Sequence, residues 1–343
     1  MRKFLGSAAA AIFSLAICLI ALEGVARVYF SLKTDSRMEM NKFASIMDRQ
    51  SSNQAMGHEL APGSSATLMK VPVSVNSHGF RDDEYGVEKP AGVYRIMLLG
   101  DSLTFGWGAK REERFSQLLE AGLNREMAPA GNARRAQVMN TGTVNYNTAQ
   151  EAALYMERGR KFKPDMVILN YFINDAEEAL AHKSPRLLSY SYFAMWLWGK
   201  LGMVRTALEG GGGDYKSYYR SLYSAGSPGW EAAMGAMAEL GRQAKADGVV
   251  YVVAILPELH AVGRNYEFAD IHEKVRNAAI SGGADLVIDL AGQFAAEAPQ
   301  SLWVAPDDAH PNKKGHEIIA NAIMAKLTQA GLVNAMTDGP MAR

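Results

Sequence analysis

Five short apolar runs, each followed by a stretch of helical character, constrain this chain more than any other feature. They occupy residues 95–99, 137–140, 166–170, 249–256 and 285–290. In the first, Ile96, Met97, Leu98 and Leu99 follow one another without a polar break, which fits a strand covered on both faces. Helix-like segments lie near 112–127, 147–161, 229–247, 266–281 and 312–330. This alternation predicts a mainly parallel five-stranded sheet with helices on both sides, a three-layer α/β/α domain over about 90–332.

In open sheets of this kind, ligands and chemistry collect at the carboxyl ends of strands. The first run ends in Gly100-Asp101-Ser102, so a serine hydroxyl and its backbone N–H stand at such an end. Taken alone, this is also what a turn followed by a helix cap looks like. Far downstream, Asp307-Asp308-Ala309-His310-Pro311 supplies a histidine with an aspartate three residues before it.

The two ends of the chain read differently. After Met1-Arg2-Lys3, residues 4–22 carry no charge, and about 20 mostly apolar residues suffice to cross a bilayer as a helix. The basic flank favours a cytoplasmic N-terminus with the remainder exported. A cleaved signal peptide is the competing reading, with Gly24-Val25-Ala26 as a small-residue site and Glu23 an awkward neighbour. Residues 31–90 read as a stalk followed by a short strand extension; 66–75 fit one or two strands. An insertion at 177–229 breaks the βα rhythm. It holds the aromatic run 187–198, which suits a membrane interface, a groove wall or ordinary packing, and the glycine run 210–213, which reads as a hinge. Residues 333–343 read as a tail.

Charge excludes one class of partner. Lys plus Arg equals Asp plus Glu at 36 each, so no basic field draws in nucleic acid. The single cysteine, Cys18, permits neither an internal disulfide nor a cysteine-based zinc site. The histidines other than His310 lack ligand spacing, and neither metal nor cofactor is expected.

A serine hydroxyl becomes a nucleophile when an imidazole takes its proton, a carboxylate orients that imidazole, and N–H donors hold the developing oxyanion. Gly100-Asp101-Ser102-Leu103 after one strand, Asn174-Asp175 after another, and Asp307-x-x-His310-Pro311 before the last helix together resemble the SGNH/GDSL hydrolase family, over about residues 95–327. The resemblance implies a flavodoxin-like, doubly wound fold and ester hydrolysis through an acyl-serine. Carried over position by position, it implies Ser102 as nucleophile, His310 as base and Asp307 as the orienting acid. Ser102 N–H and the Asn174 side chain would serve the oxyanion hole. The family's oxyanion glycine aligns with Asn145, a residue type that tolerates left-handed backbone angles; Gly142 is the other candidate. Phe172 stands where the family commonly has glycine. The expected substrate is an ester-bearing small molecule, glycan or lipid of the envelope. An O-acyltransferase with the same triad and a non-catalytic envelope scaffold or glycan-binding protein are the alternatives.

Overall fold

The computed structural model of the chain describes residues 2–128, 134–179, 191–208 and 214–338. Its N-terminal part holds α1 (Arg2–Leu32), α2 (Ser36–Ile46) and two antiparallel hairpins, β1 (Asp48–Gln50) with β2 (His58–Leu60) and β3 (Ser65–Leu68) with β4 (Val71–Ser74). The five apolar runs then form β5 (Val93–Gly100), β6 (Arg135–Asn140), β7 (Met166–Tyr171), β8 (Val250–Ile255) and β9 (Leu286–Asp289). All pair in parallel, in the order β6-β5-β7-β8-β9. The helices are α3 (Ser102–Phe105), α4 (Phe115–Met127), α5 (Thr148–Glu157), α6 (Tyr192–Leu208), α7 (Tyr215–Leu222), α8 (Pro228–Asp247), α9 (Ala269–Ser281), α10 (Lys313–Gln329) and α11 (Leu332–Asp338). A third hairpin, β10 (Trp303–Ala305) with β11 (Asp308–Pro311), precedes α10.

The strands are largely apolar because both faces are covered. Alternate side chains of one strand enter opposite cores. Met97 and Leu99 join Val167, Leu169, Val253 and Ile255 on one face, whereas Ile96 and Leu98 join Met166, Ile168, Val252 and Ala254 on the other. On the first face α8 presents Trp230, Ala233, Met237, Leu240 and Ala244, a stripe at alternating three- and four-residue steps, as a helix packed along one side requires. It stops at Gly248, whose φ of 69° closes the C-terminus in the left-handed region.

The N-terminal extension departs from the expected stalk. Residues 36–46 are helical, and Phe43, Met47, Leu60 and Leu68 are buried with Phe105, Trp107 and Val144 of the main domain. Each large side chain buried in this way contributes roughly 1.5–3 kcal/mol, enough to hold a short segment that has little periodicity of its own. The tail expected at 333–343 is likewise shorter: Val333 and Met336 of α11 are buried, and residues 339–343 lie outside the described residues.

Residues Ala9–Leu32 of α1 are long and apolar enough to cross a membrane, with exposed side chains. The Glu23 carboxylate accepts from Ser191 Oγ (2.7 Å) and from the N–H groups of Tyr192 (3.2 Å) and Phe193 (3.1 Å), so a side chain of α1 closes the start of α6. The described part of the aromatic run therefore packs toward α1 and α2. Residues 187–190 and the glycine run 210–213 lie outside the described residues.

Candidate active site

The strand order places a switch point beside β5, where crossovers leave toward β6 on one side and β7 on the other, and a cleft opens there at the carboxyl ends. Three local devices set the serine into it. Gly100 ends β5 where a Cβ would come within 2.0 Å of Thr104 Oγ1, so the chain can fold straight back into α3 only with glycine. Asp101 caps that turn, its Oδ1 accepting from Leu103 N–H at 2.8 Å. The buried Arg81 guanidinium then gathers the carbonyls of Phe105 (3.1 Å), Gly106 (2.5 Å) and Ala109 (2.8 Å). Ser102 is held as the first residue of a one-turn helix.

His310, on β11, meets it. His310 Nε2 is 2.8 Å from Ser102 Oγ, and His310 Nδ1 is 2.5 Å from Asp308 Oδ1. An ionised carboxylate only accepts, so the shared proton belongs to Nδ1 and Nε2 offers its lone pair to the serine. Asp308 Oδ1 also accepts from His310 N–H (3.1 Å), and Oδ2 accepts from Trp107 Nε1 (3.0 Å) and Ser36 Oγ (2.6 Å). Burial raises the Asp308 pKa, but the His310 side chain, its charge, the Ser36 hydroxyl and the His310 N–H together hold it well below the ordinary carboxylate range. The group is held as an anion.

The carboxylate bonded to His310 is Asp308, not the expected Asp307. A spacing of three suits a helix, but this segment is a strand, where residues two apart share a face. Asp308 and His310 therefore point the same way. Asp307 occupies the turn between β10 and β11, exposed and without a bond to the imidazole, although it lines the same cleft.

The loop after β6 separates two properties of the expected glycine. Asn145 lines the cleft with a φ of 64°, and its N–H has no partner among the described residues. Gly142 sits beneath α3, where a Cβ would meet Phe105 N at 2.2 Å, and its N–H is taken by Asn140 Oδ1 at 3.0 Å. Close approach belongs to Gly142 and the open N–H to Asn145. Asn174 follows β7 on the turn Ile173–Ala176, half-buried at the cleft and beside the Asp101 carboxyl. Phe172 is half-buried and narrows the same wall. Ser36, Met40, Tyr219, Glu258 and His260 complete a cleft of about 280 Å³.

Beneath the site lies a group of carboxyls that the sequence does not announce. Glu151 is buried with neither oxygen partnered. Asp175 orders its turn by accepting from Phe172 N–H (3.1 Å) and Thr148 Oγ1 (3.0 Å). Burial, then the Asp175 and Asp101 charges, push Glu151 well up; burial and the Asp101 charge do the same to Asp175. Burial lifts Asp101 to about 6, against the Leu103 N–H and the His310 charge, which lower it. Of these carboxyls and Asp308, it is Asp308 that is hydrogen-bonded to His310. Among the described residues no group of three or more His, Cys, Asp or Glu is arranged to hold a metal ion.

Residues 98–318 match the family described as GDSL-like Lipase/Acylhydrolase. Among solved structures, the chain is similar to an alpha/beta hydrolase enzyme from the metagenome of Lake Arreo, Spain, at 20% identity and a TM-score of 0.46, over 73% of this chain and 100% of that one. It is similar to a putative lipolytic protein of the G-D-S-L family from Desulfitobacterium hafniense at 14% and 0.42, over 68% and 99%. It is also similar to a catalytic mutant of an acetylxylan esterase from Geobacillus stearothermophilus at 16% and 0.44, over 68% and 94%. No curated protein sequence matches the chain.

Proposed function

The chain belongs to the GDSL-like Lipase/Acylhydrolase family and is a serine ester hydrolase, and on that premise we propose that Ser102, His310 and Asp308 act as its triad in a membrane-anchored, exported enzyme. One observation carries the assignment of roles: the unbroken run from Ser102 Oγ through His310 to Asp308, at 2.8 and 2.5 Å. His310 Nε2 takes the serine proton as Oγ attacks the ester carbonyl. The resulting imidazolium is stabilised by the Asp308 anion 2.5 Å away. The oxyanion is held by the N–H groups of Ser102 and Asn145 and by the Asn174 side-chain amide, each such donor being worth about 2.7–4 kcal/mol in the transition state. His310 then gives its proton to the leaving alcohol. A water takes the alcohol's place and is deprotonated by His310, and the acyl-serine collapses to acid and free enzyme.

The cleft supports a modest acyl group. Its volume of about 280 Å³ is shared between apolar walls, Leu103, Phe172 and Leu259, and polar ones, Asn145, Glu258 and His260. We assign the substrate class as acyl or acetyl esters of envelope glycans or lipids, supported by the apolar α1 ahead of the catalytic domain and by this mixed lining. Labelling by a fluorophosphonate probe, abolished by Ser102→Ala, tests the nucleophile. Turnover of acetyl through long-chain p-nitrophenyl esters tests the acyl size. Absence of labelling in the folded wild-type protein refutes the assignment.

A further inference from the structure

Asp308 is completed from an unexpected direction. Its Oδ1 serves His310, while Oδ2 turns away and accepts from two donors. One is the indole of Trp107, just past the serine turn. The other is the hydroxyl of Ser36, 272 residues distant in sequence and only four residues beyond Leu32, where α1 ends. At 2.6 Å, an O–H bond to a carboxylate belongs to the stronger, charge-assisted class.

Ser36 is itself held. Asp35 caps α2 by accepting from Met38 N–H at 3.1 Å. Glu39 accepts from Met69 N–H at 2.8 Å, tying the helix to the β3–β4 turn. Phe43 packs edge-on against both Phe105 and Trp107, with ring centroids 5.7 and 5.9 Å apart. Met40, one turn after Ser36, lines the cleft beside it. The segment that joins the apolar helix to the domain thus forms part of the wall and one of the acid's bonds.

We propose that Ser36 is a positioning residue for the reaction, so that the juxtamembrane segment completes the active site and its docking sets the enzyme's activity. This rests on the reading of Ser102, His310 and Asp308 given above. The hydroxyl acts through the carboxylate. With Oδ2 held by both Trp107 and Ser36, the carboxylate plane is fixed and Oδ1 stays on Nδ1. Loss of the hydroxyl leaves Trp107 alone to hold the plane, and more negative charge faces the imidazole. The imidazolium is then favoured, and a higher pH is needed to free the base.

The test uses the full chain in detergent micelles with p-nitrophenyl acetate. Ser36→Ala lowers kcat about tenfold or more, the effect of one bond to a charged group, with KM changed less than about twofold. The acid limb of kcat/KM moves to higher pH, the rate of fluorophosphonate labelling falls in parallel, and Ser36→Thr restores both. Wild-type kcat and pH profile in Ser36→Ala, alongside inactive Ser102→Ala, overturn the role of Ser36 and leave the hydrolase reading standing. A loss that Ser36→Thr does not restore and that leaves the pH profile in place marks a packing effect and also overturns it. Should Ser36→Ala not fold, Ser36→Cys, of similar shape but a weak donor, gives the same readout. Unchanged turnover in Ser102→Ala refutes the underlying assignment instead.

Discussion

Replacing Asp308 by asparagine separates the two aspartates that the sequence offers, and the donors around the carboxylate bias how the amide sits. Trp107 Nε1–H points at Oδ2 and can only donate. The His310 N–H competes for the amide oxygen on the Oδ1 side, but the indole and the Ser36 hydroxyl together draw it to the Oδ2 side, which turns the NH₂ toward His310 Nδ1. Facing a donor, Nδ1 must carry the lone pair and Nε2 the proton, so the imidazole no longer accepts from Ser102. The wrong tautomer costs about 10⁴-fold in kcat in the serine-protease template, or roughly 5–6 kcal/mol. Asp307→Asn, exposed in the β10–β11 turn, changes kcat by less than about twofold, as surface substitutions do. Removing the indole donor relieves the constraint. In Asp308→Asn combined with Trp107→Phe the amide is free to turn, because the Ser36 hydroxyl can accept as well as donate, and about tenfold or more of the loss returns. Initial rates with p-nitrophenyl acetate, together with fluorophosphonate labelling of the same preparations, measure wild type and all three variants. Equal losses in Asp307→Asn and Asp308→Asn, or full activity in Asp308→Asn, refute the assignment; no recovery in the double variant refutes the tautomer argument.

Two other outcomes follow from the site and its floor. Asn174→Ala removes one oxyanion donor and lowers kcat about 10²–10³-fold with little change in KM; an effect confined to KM would contradict the role given to its amide. Glu151 keeps its proton in the fold to a higher pH than in the unfolded chain, where it releases it at about pH 4.3. Its contribution to stability is therefore whole below that pH and declines as pH rises toward the raised folded-state value. Glu151→Gln removes the decline: the difference in Tm between variant and wild type widens in favour of the variant from about pH 5 to about pH 8. A difference that is the same at both pH values would show that Glu151 has already lost its proton in the fold by about pH 5.

The sheet was legible because strand burial leaves a one-dimensional trace. The runs at 95–99 and 166–170 differ from β5 and β7 by a few end residues, since residues covered on both faces must be apolar. The placement of Ser102 and His310 at element ends was legible for a related reason: each is marked by Gly100 or by Pro311. Asp308 was misread because choosing between adjacent aspartates requires knowing whether the segment is helix or strand, and the four residues of β11 are too few to display a period. The folding of 36–46 was hidden because its anchors, Phe43 and Met47, meet Phe105 and Trp107, partners remote in sequence. Ser36 and Trp107 carry no local mark of their bond to Asp308. Glu151 looks in the sequence like one more surface acid on α5, and only the packing shows it buried.

Glu23 gives α1 a meaning for proteolytic maturation. A protease cutting after Ala26 would carry away the carboxylate that accepts from Ser191, Tyr192 and Phe193. Two backbone amides at the head of α6 would then face the vacated side without an acceptor, at about 1–3 kcal/mol each where water is excluded. Arg27, now at the new N-terminus, would keep its place over the Tyr192 ring but lose its ion pair with Glu23. Trimming of that kind would leave the head of α6 uncapped, so the uncut helix is part of the fold.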